Sequence, residues 1–100
     1  MIARTLLINT RLGLHARAAA KLVRLAGSFH SDVQIQRLDG QGTAGQVANA
    51  KSILSVLMLA ASCGTQLRVS AAGSDEEAAM NAIDLLFAHG FGELEQESSP

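Results

Sequence analysis

Residues Ile2 to Gly27 read IARTLLINTRLGLHARAAAKLVRLAG, and the pattern changes period midway. From Ile2 to Ile8 the run is apolar except at Arg4 and Thr5, and it is bounded by Asn9-Thr10, which is the pattern of a strand. From Ala16 to Ala26 the spacing becomes helical. Ala19, Leu22, Val23 and Ala26 share one face, while Arg17, Lys21 and Arg24 fall on another. Gly27 supplies a helix stop.

Working outward, Val33 and Ile35 alternate with Gln34 and Gln36 as a second, half-buried strand. Asp39-Gly40-Gln41-Gly42-Thr43 has the turn chemistry of a hairpin leading to a weak third strand over Ala44 to Ala48. Asn49 is the candidate cap of a short helix running through Ile53, Leu54, Val56, Leu57 and Leu59, and Gly64 ends that excursion. Leu67, Val69 and Ala71 alternate with Arg68 and Ser70 as a fourth strand. Ser74-Asp75-Glu76-Glu77 reads as a capping box with Ser74 at the cap. The last helix has the stripe Ala79, Ala82, Ile83, Leu86 and Phe87, and closes with His89 and Gly90. The order is βαββαβα. Three helices each need to bury an apolar face, which calls for an α+β open-faced sandwich: one four-stranded antiparallel sheet with three helices on one face. Residues 1–92 make the single domain, and the acidic, polar tail 93–100 is expected to fray.

One hundred residues leave no room for a separate catalytic lobe. Only three residues are aromatic and the net charge is -1, so the basic excess and stacking side chains of a nucleic-acid binder are missing. The longest nearly apolar run, Ile53 to Ala61, falls short of the roughly 20 residues that span a bilayer. Without a secretory signal pattern, cytoplasm is the expected location. A lone Cys63 excludes an internal disulfide and a thiolate metal site, and it reads as a small buried residue. No metal or cofactor is expected.

Two glycine motifs fail on their chemistry. Gly40-Gln41-Gly42-Thr43-Ala44-Gly45 matches G-x-G-x-x-G, but no acid lies about 20 residues on to hold a ribose, and a hairpin turn accounts for it. Gly45 to Ser52 approaches a phosphate loop with Ala50 in place of the required glycine, and no acid-tipped strand follows to hold magnesium. Of the histidines, His30 in a turn and His89 at a helix end are bland positions.

His15 is different. In Leu12-Gly13-Leu14-His15-Ala16-Arg17 it directly precedes the first helical residue, where a ring nitrogen faces the free backbone N–H groups of the first turn. A phosphoryl group on that nitrogen would meet the amides of Ala16, Arg17 and Ala18, the positive helix end and the Arg17 guanidinium. The helix end also favours a neutral, nucleophilic ring. Gly13 allows a sharp turn that opens the ring to a partner. Spacing alone is equally compatible with a capping histidine beside a surface arginine.

The segment Gly13-Leu14-His15-Ala16-Arg17, followed by Ala19-Ala20-Lys21-Leu22-Val23, closely resembles the active-site segment of the HPr family. These are the histidine phosphocarriers of the bacterial phosphoenolpyruvate-dependent phosphotransferase system. Asn49-Ala50-Lys51-Ser52-Ile53, Leu57-Met58-Leu59-Ala60-Ala61 and Gly90-Phe91-Gly92-Glu93 support the resemblance, which covers roughly residues 2 to 92. It implies a non-enzymatic carrier that accepts a phosphoryl group from phosphorylated enzyme I on Nδ1 of His15 and passes it to a IIA-type protein. Arg17 then matches the phosphate-pairing arginine, and Ser52 the serine that an HPr kinase/phosphorylase modifies in some relatives. Ile53, Leu54, Leu57 and Met58 on the second helix become the partner-docking face of a monomer, where the plainer reading is core.

Two departures from the family stand out. Most members carry Pro directly after the Arg, where this chain has Ala18, which keeps an amide and loosens the first turn. The connection Leu38 to Gln46 is longer than in common relatives and is expected to extend away from His15. Lys51-Ser52 resembles the sugar branch, whereas the Leu-Met-Leu and Gly-Phe-Gly segments resemble the nitrogen-branch carriers. Outside the family, a non-phosphorylated protein-interaction or small-ligand module of this shape remains the alternative.

Overall fold

The computed structural model describes residues 1–38 and 44–92, with residues 44–46 described by backbone alone. The change of period at the N-terminus is a strand, β1 (Ile2–Leu7), followed by a helix, α1 (Ala16–Gly27). Then come β2 (Asp32–Leu38), β3 (Ala44–Asn49), α2 (Ile53–Met58), β4 (Gln66–Ala72), α3 (Glu76–Ala88) and a 3-10 turn at Gly90–Gly92. The strands form one sheet in the order β1-β4-β2-β3, every neighbouring pair antiparallel.

Alternation decides which face is covered. Leu67, Val69 and Ala71 of β4 are buried, and Val33 and Ile35 of β2 stand opposite Ala71 and Val69, so the apolar sets coincide. Against this face pack Ala18, Ala19, Leu22 and Ala26 of α1, Val56 of α2, and Ala79, Met80, Ile83 and Phe87 of α3. The alanine-rich face of α1 permits close approach without voids. Phe91 adopts a left-handed backbone (φ +57) yet is fully buried, its ring 4.8 Å from that of Phe87. Lys21 holds this turn to α1 by donating from Nζ to the Phe91 carbonyl at 2.6 Å.

Several local expectations change. Gly27 is the last residue of α1, and Ser28 caps it. Asn49 does not cap α2: its side chain accepts from the Lys51 amide two residues on, and Ser52 is the cap, its Oγ accepting from the Ser55 N–H at 3.4 Å. The chain leaves α2 at Leu59 and reverses at Ala60 (φ +51), before Gly64. Met80 joins the buried stripe of α3 in place of the half-exposed Ala82 and Leu86. Cys63 is exposed, because it lies in the turn between α2 and β4 and outside the apolar alternation.

The capping box is also rearranged. Asp75, not Ser74, stands at the cap of α3, and its carboxylate is drawn away from the helix to the His30 and Ser31 amides and the buried Ser31 hydroxyl. These bonds, the Ser31 hydroxyl foremost and the His30 amide next, hold the Asp75 carboxyl down to about 2 against the opposing effect of burial. Glu76 accepts from the Gly73 amide and pairs with the N-terminal ammonium, which lowers its pKa as well.

Leu38 pairs with Gln66, which on its other side pairs with Leu7. The β2–β3 connection therefore leaves the sheet at the end from which the chain proceeds to His15, because α1 carries the chain back before β2 runs forward again. The expectation that this connection extends away from His15 falls on residues outside the described ones. The hairpin turn 39–43 and the tail 93–100 lie outside the described residues.

Candidate functional site

His15 is placed by two loops zipped together. Ile8 N–H donates to the Thr65 carbonyl at 2.9 Å, Gly64 N–H to Ile8 at 2.8 Å, and Leu14 N–H to Ala61 at 2.8 Å. Thr10 and Gly13 close the turn reciprocally: the Gly13 amide donates to the Thr10 carbonyl, and the fully buried Thr10 hydroxyl donates to the Gly13 carbonyl at 2.8 Å. Gly13 has φ +70, and a Cβ there would sit 2.6 Å from the Ala61 carbonyl oxygen, so both its conformation and its close contact require glycine. Sequence reasoning missed Thr10 as a site-shaping residue. Its three-residue spacing to Gly13 was the available signal.

The turn delivers His15, half-buried, as the N-cap of α1 with an extended backbone. Its Nδ1 accepts from the Arg17 N–H at 3.3 Å, longer than the roughly 2.9–3.0 Å usual for such a bond. An acceptor at Nδ1 selects the tautomer with its proton on Nε2. The first amide of α1 with a main-chain partner at helical spacing is Ala19, which donates to the His15 carbonyl at 2.8 Å, so Ala16, Arg17 and Ala18 are the first-turn donors. The first turn carries no acidic residue. Ala16 and Arg17 are exposed, whereas Ala18 is fully buried and packs into the core. No hydrogen bond or ion pair among the described residues engages the Arg17 guanidinium. The arrangement offers a ring nitrogen, a fan of amides and an exposed cation, groups suited to holding a phosphoryl group while sharing its charge.

On α2, Ile53, Leu54 and Met58 are 43%, 67% and 59% exposed, while Leu57 is half-buried and Val56 faces the core. Leu12, 70% exposed in the turn before His15, adds an apolar residue that the sequence reading did not single out. Ser52 is half-exposed at the head of this helix. Among the described residues, no three His, Cys, Asp or Glu side chains gather as a metal site, and no helix is long and apolar enough to cross a membrane.

Comparison with known proteins agrees with this geometry. Residues 2–89 match the family model PTS-HPr, described as the PTS HPr component phosphorylation site. The chain is 45% identical to phosphocarrier protein HPr of Cupriavidus necator over 95% of its own length and all of the other protein. It is 39% identical to phosphocarrier protein NPr of Proteus mirabilis, covering 90% and 94% of the two chains. The crystal structure of HPr-C-His from Thermoanaerobacter tengcongensis superposes with a TM-score of 0.80 at 36% identity, covering 92% of this chain and 97% of that one. With its four-stranded sheet, three helices and a histidine at the head of the first, the chain belongs to the HPr family of phosphocarrier proteins of the phosphotransferase system.

Proposed function

We propose that His15 is the phosphoryl acceptor, receiving the group from phosphorylated enzyme I and passing it to a histidine of a IIA-type protein. The observation that carries this reading is the Arg17 amide aimed at Nδ1 of His15, because it marks that nitrogen as the acceptor of the ring and sets it facing the donors of the first helical turn. In the transfer, the donor P–N bond breaks as the bond to Nδ1 forms. The Nε2 proton of His15 passes to solvent, and the released donor ring takes one up. The long Arg17 N–H···Nδ1 bond is exchanged for one from the same amide to a phosphoryl oxygen, so little stabilisation is lost at the start. The amides of Ala16, Arg17 and Ala18 and the Arg17 guanidinium then share the charge, Ala18 once the ring has turned. They hold it loosely enough for onward transfer, since the site stays at the surface.

Ile53, Leu54, Leu57 and Met58 form the docking face in this reading, and it implies a cytoplasmic monomer. Phosphorylation of Ser52 by an HPr kinase/phosphorylase would set a charge of nearly two beside that apolar face and replace the hydroxyl that caps α2, hindering docking. The identity to the Proteus NPr favours a second reading in which the receiving partner belongs to the nitrogen branch. Incubation with phosphoenolpyruvate and enzyme I, followed by mass spectrometry under alkaline conditions, is expected to place one acid-labile phosphate on His15. Candidate IIA proteins that then discharge it decide the branch. A His15→Ala protein that still becomes labelled, or still supports transfer, overturns the assignment, and one that retains every partner function points to an interaction module.

A further inference from the structure

We propose that the pocket where β2 ends, β4 begins and the turn after α2 passes between them binds a small polyhydroxylated monocarboxylate, a sugar acid in chemical class. The pocket has a volume of about 430 Å³ and opens to solvent, which places it within the roughly 300–1,000 Å³ of small-molecule sites. The charge that marks it breaks a pattern. Val33, Ile35 and Arg37 share one face of β2 by alternation, and the first two are core residues. Arg37 stands opposite the fully buried Leu67, so a guanidinium takes the third place in an apolar series. It is half-buried and held at the pocket wall by Leu59, whose carbonyl accepts from Nη1 at 2.9 Å. A guanidinium carries five N–H donors in one plane, so it can keep this bond and meet a carboxylate as well. No other charged side chain stands among the described lining residues, which suits a ligand with a single negative charge.

The remaining wall decides what else the ligand carries. Thr65 Oγ1 accepts from the Ser62 N–H at 3.2 Å and lies 3.4 Å from Ser62 Oγ, and Gln66 adds an amide. Hydroxyls and amides of this kind both donate and accept, as the hydroxyls of a sugar acid do. The main-chain donors of the turn are already spent: Gly64 N–H on Ile8, Thr65 N–H on Ser62, and Ser62 N–H on Thr65 Oγ1. A phosphate is held best by converging backbone amides or several cations, so one carboxylate surrounded by hydroxyls is the better match. Ala60, in the same wall, keeps a left-handed backbone (φ +51), the kind of strain that collects at ligand sites. The turn also holds the loop before α1, through Ala61 to Leu14 and Gly64 to Ile8, so a bound ligand adjoins the contacts that position His15.

The test titrates the full chain with sodium D-gluconate at an ionic strength matched with sodium chloride, and follows the amides by ¹H–¹⁵N NMR. Saturable shifts are expected at Arg37, Ser62, Thr65 and Gln66, with a dissociation constant on the order of 1 mM, and a smaller shift at Leu14. Glucose lacks the carboxylate and hexanoate lacks the hydroxyls, so each should bind at least roughly 5-fold more weakly. Arg37→Gln should weaken gluconate by roughly 10- to 100-fold, the loss of a charge-assisted pair. Ser62→Ala changes an exposed hydroxyl outside the core and should weaken gluconate by about 2- to 10-fold at an unchanged urea midpoint, which keeps the test decisive if Arg37→Gln unfolds. Shifts confined to Ala16, Arg17 and Ala18 would assign the anion to the head of α1 and overturn the proposal. Equal affinity for glucose or hexanoate, undiminished affinity in the folded variants, or the absence of any saturable shift overturns it too.

Discussion

Substituting Gly13→Ala tests whether the His15 turn is held by its conformation and by contact with the 61–65 loop. Alanine at φ +70 carries a left-handed backbone penalty of about 1–2 kcal/mol. The added methyl would also lie 2.6 Å from the Ala61 carbonyl oxygen and 2.8 Å from Ser62 Cα, both backbone atoms that no rotamer change can move. Relief requires the two loops to part, which strains the Leu14 N–H to Ala61 bond, worth about 0.5–1.5 kcal/mol net. Together these give a destabilisation of about 1.5–3.5 kcal/mol, a large part of the roughly 5–15 kcal/mol that holds a small domain folded. Two controls separate the contributions. Gly64 has φ +92 but open space around its Cβ position, so Gly64→Ala should cost only the backbone penalty of about 1–2 kcal/mol. Gly27 sits in α1 with nothing near a new Cβ, so Gly27→Ala should stabilise by about 0.5–1 kcal/mol. Urea midpoints at constant m rank the three, and phosphoryl acceptance from enzyme I, measured well below the melting temperature, should fall for Gly13→Ala alone. A Gly13→Ala midpoint at or above that of Gly64→Ala refutes the contact argument.

Arg17→Gln removes a charge-assisted partner worth about 1.5–3 kcal/mol, so phosphoryl transfer should slow by roughly 10- to 100-fold with stability unchanged. Arg17→Lys should recover part of the rate, and a Gln variant as fast as wild type would remove Arg17 from the site. Ser52→Asp should lower transfer to IIA proteins in stopped-flow assays. Ser52→Ala should keep the rate and lose only about 0.5 kcal/mol, because the cap bond is a long 3.4 Å; equal rates for both variants argue against a blocked interface. Ala18→Pro should raise stability by about 0.4–1 kcal/mol, since the Ala18 amide precedes the first intrahelical donor, and a fall in the urea midpoint would mean the buried site has no room for the ring. The Asp75 carboxyl titrates lower when folded than when unfolded, so the unfolded chain takes up the proton first on acidification. Its stabilisation is present above the ordinary value of 3.8 and is lost as pH falls toward about 2. Asp75→Asn should flatten the denaturant midpoint over that window, and an unchanged slope would show that the carboxylate contributes nothing.

The elements were legible because their periodicities are strong: β4 and α1 can be read from alternation and from the Ala19, Leu22, Ala26 stripe. His15 at the head of α1 was legible for the same reason, since a histidine directly before a helical period can only be a cap. What failed was local and set by distant partners. Ser74-Asp75-Glu76-Glu77 has the letters of a capping box, yet the buried Ser31 hydroxyl and two amides some forty residues upstream compete for Asp75 and win. Asn49 precedes α2 closely enough to look like its cap, but an Asn side chain closes a two-residue turn more readily than it reaches across three, and Ser52 is nearer.

The Asp75 cluster contrasts with the head of α1 at His15. Each is a place where backbone N–H groups converge on one acceptor. At Asp75 the acceptor is a carboxylate that takes two amides and a hydroxyl, all at ordinary or short distances, so the amides are saturated and the cluster works as a clamp between α3 and the start of β2. At His15 the acceptor is ring Nδ1, 3.3 Å from the Arg17 nitrogen, and no acidic side chain occupies the first turn of α1. A carboxylate at that cap would satisfy the same donors and stabilise the helix, but it would fill the place of the phosphoryl group in the proposed function. Three acids of the described residues are instead engaged elsewhere: Asp75 with Ser31, Glu76 with the N-terminus, and Asp84 with Arg4. With no acid at the head of α1, the amides of Ala16, Arg17 and Ala18 and the Arg17 guanidinium are left to share the charge that the proposed function brings there.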